Sequence, residues 1–379
     1  MKNFKTFLKE SSNMGLEFEP CLIAVINKDE KAIKRFDPAL VAKAKSAVSL
    51  LPKNIKWACK VGPDGIRINL GGNAGSPKTD IFFDTKENSS PKYHCSVKLD
   101  GAIQLASVSG KTSAQIFKLV ASQALKKDTK ARKYIENNVV KSLESMNSRF
   151  VDGSKAANVA KVKERNPNFY KKAFDDKGKL RKDYDYKAWE AKSKASIVAS
   201  VVTCLTESDT FRFALTEELL TGKYIFANSP LAIANCLLTP SEFYPEITSK
   251  VVKYYASITS YVISAKSTHG ISSPNFRAIT ENVKDGTEAE VEKAIQRAYR
   301  KNQKWLEESK LIKCKHGDLV LCEGFWDKVK EIGAALWNKI TTFFNELLLD
   351  IKERLISWYE RHCIELANAL IQDDTFVLE

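Results

Sequence analysis

From Ile55 to Leu99 apolar positions recur with a period near two, the spacing of strands that bury one face. The runs IKWACKV, GIRINL, KTDIFFD and KYHCSVKL carry this pattern. Between them lie turns at Gly62–Gly65 and Gly71–Gly75 and a Ser/Pro/Asn loop. Elsewhere the period lengthens. Residues 27–50 read as helix, turn and helix, with Asp37 as cap and Pro38 at a first helical position. Leu16–Ile26 is an apolar run that suits either a helix or a strand. After Lys98 a strand ends, Asp100-Gly101 turns the chain, and a helix begins near Ser109–Thr112. Further on, ALTEELL predicts a helix closed by Gly222, with YIF opening a strand. Residues 249–265 are β-branched and aromatic and predict strands. They lead into a stretch that places Lys266, His269 and Arg277 in or beside a loop. A helix follows from Asn282, then a hairpin over LIKCKHGDLVLCEG. Phe325–Leu370 forms one or two amphipathic helices whose apolar face packs on the body or on a second copy, membrane binding not being the default.

Composition narrows the class. At 379 residues, 44% hydrophobic and 28% charged, the chain has core material for two or three domains. It has no run of 18 apolar residues and no apolar leader, so a membrane span and a signal peptide are not expected. Eight cysteines stand singly and only four histidines accompany them. Cys314, His316 and Cys322 lack an evident fourth partner, so reduced, mostly buried thiols are expected rather than zinc. The formal charge of +14 suits a polyanionic partner. It is concentrated in residues 126–196, where 20 Lys and Arg face 10 Asp and Glu. There Lys171, Lys172, Lys177, Lys179, Arg181, Lys182 and Lys187 flank Phe150, Phe169, Tyr170, Phe174, Tyr184, Tyr186 and Trp189. That alternation suits a surface that tracks phosphates and stacks on exposed bases, and equally a helical hairpin whose rings face its own core.

Candidate chemistry gathers in KTDIFFDTKENSSPKYHCSVKLDGAIQ. Pairing the two runs would bring Asp80, which opens the first, to Lys98 near the end of the second. Ser96 shares the face of Lys98. A carboxylate there can hold a divalent cation, and an ammonium beside it can orient water or steady charge on a phosphate. The glycine-rich run before Asp80 lacks the GK[ST] of a phosphate loop, and SGKTS lacks the glycines that should precede it.

The D…SxK pattern resembles the PD-(D/E)XK nuclease core, the restriction-endonuclease-like fold, over about 40 residues. Ser96 stands where that family has Asp or Glu. The resemblance implies an α+β protein with a small mixed sheet of restriction-endonuclease-like type, a basic helical insertion and a long amphipathic helical C-terminal region. It implies Mg²⁺ or Mn²⁺ on Asp80, with Lys98 assisting the water. Glu218 on the ALTEELL helix is the candidate for the missing acid. Glu19 is a lesser one, because such cores often draw a glutamate from the helix before the first strand. Gln104, six residues past the lysine, is a candidate DNA contact.

MKNFKTFLKE resembles the capsid-targeting segment of internal head proteins of T4-like phages, with Leu8-Lys9-Glu10 as the cleavage site. The expected organisation is a targeting segment (1–13), a first core half (14–125), the basic arm (126–196), a second core half (197–281) and a helical end (282–379). The expected function is a metal-dependent DNA endonuclease of phage origin, in the host cytoplasm or the virion interior. Its partners would be double-stranded DNA, capsid proteins and a second copy through the C-terminal helices. The alternatives are a non-catalytic, DNA-associated head protein and a membrane-active, host-directed factor using the tail.

Overall fold

The computed structural model describes residues 17–62, 65–70, 76–99, 102–146, 158–165, 167–268, 271–283 and 287–314. All belong to one of the two units into which the chain divides, residues 1–318. The targeting segment, the Asp100-Gly101 turn, His269 and the Phe325–Leu370 helices lie outside the described residues. The architecture is mixed α+β.

Helix α1 (17–26) resolves the ambiguous apolar run. Helix α2 (Glu30–Ile33) and helix α3 (Pro38–Ser49) follow, and the Asp37 side chain accepts from Ala39 N at 2.8 Å, as its capping role requires. Strands β1 (Trp57–Lys60), β2 (Ile81–Asp84) and β3 (Tyr93–Val97) form an antiparallel meander. The first sheet runs β1-β2-β3-β5-β6, with β5 (Cys236–Leu238) parallel to β3 and β6 (Phe243–Tyr244) antiparallel to β5.

One face of this sheet packs on α1 and α3. Phe18, Leu22 and Ile26 from α1, and Leu40 and Ala44 from α3, meet Ile81, Phe83, Tyr93, Cys95 and Val97. Burying each large side chain is worth about 1.5–3 kcal/mol, so this face fixes the register. Alternation then sends His94 and Ser96 to the opposite face, and Asp80, opposed to Ser96 just beyond the Ile81–Cys95 pair, goes with them. Cys21, Cys59, Cys95, Cys204 and Cys236 are free. No described helix is long and apolar enough to cross a membrane.

A second sheet, β4-β8-β7, is built from β4 (Gln104–Ser109), β7 (Thr259–Thr268) and β8 (Ile271–Thr280). Here the sequence reading needs correction. Gln104 opens a strand that was not expected between Asp100-Gly101 and the helix, while Ser109 caps helix α4 (Gly110–Ala124) where a helix start was expected. The supposed loop around Lys266 and Arg277 is the β7–β8 hairpin, with Lys266 opposite Ser273 and Arg277 opposite Val262. Pro274 is tolerated because β4 pairs with β8 only over Asn275–Ile279, so no β4 partner needs its missing N–H.

Four further corrections follow, the first two caused by capping and side-chain hydrogen bonding. The first half of 249–265 is a helix, Ser249–Ser257, capped by Thr248 and burying Val251, Val252, Tyr255 and Ala256 on one face. YIF forms a turn, not a strand, since the Glu218 carboxylate accepts from Tyr224 N and Ile225 N. GIRINL contributes only an isolated bridge, Val61 to Ile66. LIKC ends the helix Glu288–Cys314 instead of opening a hairpin.

The basic stretch is helical. It holds Thr129–Tyr134, a π-helical turn over Ile135–Val140, Lys141–Glu144, Val159–Arg165, Pro167–Ala173 and the start of Tyr186–Glu207. Its rings Phe169, Tyr170, Phe174 and Tyr184 face the arm's own core. Phe174 is buried with Val162 and Ala173, and Phe169, Tyr170 and Tyr184 pack against them. The helix Asp209–Thr221 ends at Gly222, whose φ of 71° satisfies the left-handed cap.

Candidate active site

Asp80 and Lys98 meet at the end of the first sheet. Backbone bonds hold both in place: Asp80 N donates to Cys95 O at 2.8 Å and Lys98 N to Leu238 O at 2.9 Å. Three donors converge on one Asp80 oxygen, Oδ2. They are Lys98 Nζ at 2.9 Å, Val97 N at 2.7 Å and Ser96 Oγ at 3.2 Å. The second oxygen, Oδ1, accepts none of these. Lys98 Nζ also donates to Val97 O at 2.9 Å. An ammonium has three donors, so one N–H of Lys98 stays available to a water or a phosphate oxygen.

Glu19 on α1 feels the charges of this pair. Burial, and then the Asp80 charge, push its carboxyl up to about 7, while Lys98 and Lys60 pull it back. Two carboxylates that oppose each other's ionisation share a neighbourhood, and a cation between them would relieve the conflict. Among the described residues, however, no group of three or more His, Cys, Asp or Glu is arranged to hold a metal.

Behind the pair opens a cavity of about 420 Å³. Asp80, Ser96, Lys98, Gln104 and Glu218 all line it, so the candidates drawn from distant parts of the sequence do converge. Glu218 is fastened differently from Asp80. Both its oxygens accept backbone N–H groups, Tyr224 N at 2.6 Å and Ile225 N at 3.3 Å. Burial nevertheless raises it to about 7, against those bonds and the attraction of Lys78.

Sequence reasoning missed Lys78. Its side chain enters the same cavity and donates to Leu105 O at 3.1 Å, bridging from the entry of β2 to β4. Burial, then Lys98, lower its pKa to about 8, opposed by Glu218 and Asp80. The signal was present: two-residue alternation puts Lys78 on the face of Asp80.

The candidate phosphate contacts of the arm stand in water. Lys171, Lys172, Lys177, Lys179, Arg181 and Lys182 are exposed, and the side chain of Lys187 lies outside the described residues. Arg181 also has a structural task, since its Nε donates to Phe174 O at 2.9 Å. The Asp175 carboxylate folds the turn between the helices by accepting from Lys177 N and Lys179 N. No protein-family model, curated protein sequence or solved structure matches this chain.

Proposed function

We propose that the chain is a metal-dependent nuclease that hydrolyses phosphodiester bonds of DNA on a core of restriction-endonuclease-like type. The observation that carries this reading is the Lys98–Asp80 pair at the joined ends of β3 and β2. The order of elements agrees: a helix, a three-stranded antiparallel meander, and a later strand parallel to the third.

Two carboxylates would hold a hard divalent cation here: Asp80, which keeps Oδ1 outside its own hydrogen-bond cluster, and Glu19, which would supply the carboxylate that Ser96 does not. Magnesium or manganese, when bound, would act as a Lewis acid on the phosphate and its attacking water. Asp80 and Glu19 would hold it. Lys98 would orient the water or neutralise charge developing on a non-bridging oxygen with its remaining N–H. Ser96 and Val97 N fix the rotamer of Asp80, so the site needs little rearrangement. Glu218 is the alternative acid, although its two backbone bonds would have to yield before it could leave its turn. The exposed cations of the arm would hold the duplex.

The test is cleavage of supercoiled and linear DNA with Mg²⁺ or Mn²⁺ across about pH 6 to 9. Wild type should cut, and Asp80→Asn should not. A wild type that binds DNA and cuts nothing would move the chain to the non-catalytic, DNA-associated reading. Ser96, standing where an acid is expected, favours that second reading. Packaging in a phage head rests on Met1–Glu10 alone. Mass spectrometry of virion-derived protein should find a chain starting at Ser11, and an intact Met1 there would remove the packaging proposal.

A further inference from the structure

Lys78 has no task in the chemistry proposed above. Its half-buried side chain lines the cavity and spends one of three donors, on Leu105 O. The acid that attracts it most, Glu218, forms no ion pair with it and instead binds two backbone amides. A half-buried cation with unspent donors gains from an anion that enters the cavity beside it.

We infer that the cavity behind Asp80 and Lys98 is a phosphate subsite, in which Lys78 holds a phosphate group other than the one being cut. This rests on the nuclease reading only for the parent molecule of that phosphate. Two observations besides Lys78 select the ligand class. Lys78 and Lys98 both line the cavity, while the two acids there are already engaged, Asp80 by Lys98, Val97 N and Ser96, and Glu218 by its turn. An anion between the two lysines answers both charges, and phosphate oxygens accept charge-assisted bonds well. The walls then suit what is attached to the phosphate. Phe226, Ile116 and Leu219 offer apolar surface, while Gln104 and Thr112 offer polar groups. A space of about 420 Å³ takes a nucleotide unit rather than a bare ion.

The close packing around Lys78 preserves the aim of its side chain. A Cβ added at Gly222 would meet Lys78 Cγ at 2.8 Å, so the aliphatic stem is gripped between the helix end and β2. Backbone bonds from Lys78 N and Thr79 N to Ala232 O hold the same segment from below. The ammonium is therefore presented at a fixed depth, as a recognition group should be.

The experiment uses the full chain with chelator and no metal. Inorganic phosphate and thymidine 5′-monophosphate are titrated by calorimetry into wild type, Lys78→Met and Gln104→Ala. The monophosphate should bind, and Lys78→Met should weaken it by at least about 10-fold, the size of one lost charge-assisted bond. Lys78→Met keeps the aliphatic stem that packs against the helix end, so it should fold. Should it fail to fold, Gln104→Ala on the exposed first position of β4 decides, with an expected loss of about threefold. No binding up to about 10 mM, or unchanged affinity in the folded variant, overturns the subsite. Cleavage then separates the two sources of the phosphate. A Lys78-dependent preference for 5′-phosphorylated over 5′-hydroxyl linear DNA assigns a strand end, and equal, Lys78-dependent cutting of closed circles assigns an internal phosphate. A chain that binds phosphate and cuts no DNA would end the nuclease reading and leave the subsite standing.

Discussion

In the helical arm the cations stand in water while the rings are inside: Lys171, Lys172, Lys179 and Lys182 are exposed, and Phe174 is buried among Val162 and Ala173. Around Asp80 the arrangement is inverted. Glu218 is buried, Lys78 is half-buried, and apolar side chains share the cavity wall with them. Exposed charge is screened within about 10 Å at 0.1 M salt and changes little when a neighbour changes. Buried charge responds strongly to each neighbour, and Glu19, Lys78 and Glu218 are displaced from their ordinary pKa values. The arm is thus equipped for attraction and the cavity for discrimination and chemistry.

The largest expected effect lies on the cavity side. Asp80→Asn, Glu19→Gln and Lys98→Ala should each lower turnover by about 100-fold or more, near 3 kcal/mol of transition-state stabilisation, with DNA affinity little changed. Glu218→Gln should cost less than about 10-fold, because its oxygens are committed to the 224–225 turn. If Glu218→Gln falls as far as Asp80→Asn while Glu19→Gln does not, the metal-holding acid is Glu218.

Next comes the arm. Replacing Lys171, Lys172, Lys179 and Lys182 by Gln should weaken duplex binding by about 10- to 100-fold at about 0.1 M salt and flatten the salt slope by up to about 3.6. Turnover of bound DNA should not move. Arg181 is spared in that variant because its bond to Phe174 O supports the turn. Equal affinity would place the DNA surface elsewhere.

A smaller effect is expected from pH. Glu19 must ionise to hold a cation, and its pKa is raised to about 7. The Mg²⁺ concentration for half-maximal cutting should therefore rise by about 10-fold from about pH 8 to about pH 6. A flat dependence would remove Glu19 from the metal site.

Stability should vary least. Glu218 has a folded pKa near 7 against an ordinary 4.5, so its folded state favours the protonated form. That contribution is complete below about pH 4.5 and is lost as pH rises through about 7. Urea unfolding should show wild type losing at most about 3 kcal/mol more than Glu218→Gln between about pH 5 and pH 8. Parallel curves would mean that Glu218 ionises without penalty.

The features legible in the sequence were those fixed by residues close together in it. Asp37 before Pro38, Gly222 after ALTEELL, and the β2–β3 hairpin that joins Asp80 to Lys98 all depend on local capping or a short loop. The second sheet was not legible, because β4 finds β8 across residues 110–270 and nothing near Gln104 announces that partner. Ser249–Ser257 looked like a strand since Val and Tyr dominate it, yet Thr248 and the spacing of Val251, Val252, Tyr255 and Ala256 make a helix. In the arm, charge alternating with rings did not say which way the rings faced. Lys78 was overlooked because burial, not identity, makes a lysine unusual.

The placement of β3 beside β5 has a consequence for the order in which the molecule assembles. These strands are neighbours in the sheet, yet residues 98–235 separate them in the chain. Closing a loop of that length costs about 2 kcal/mol more entropy than the dozen residues a parallel crossover minimally needs. The β2–β3 hairpin has no such handicap and can form within about 1–10 µs. The charged pair should therefore exist before the cavity it guards. In pulse-labelled refolding the Asp80 amide, bonded to Cys95 O, should gain protection ahead of the Lys98 amide, which waits for Leu238 O.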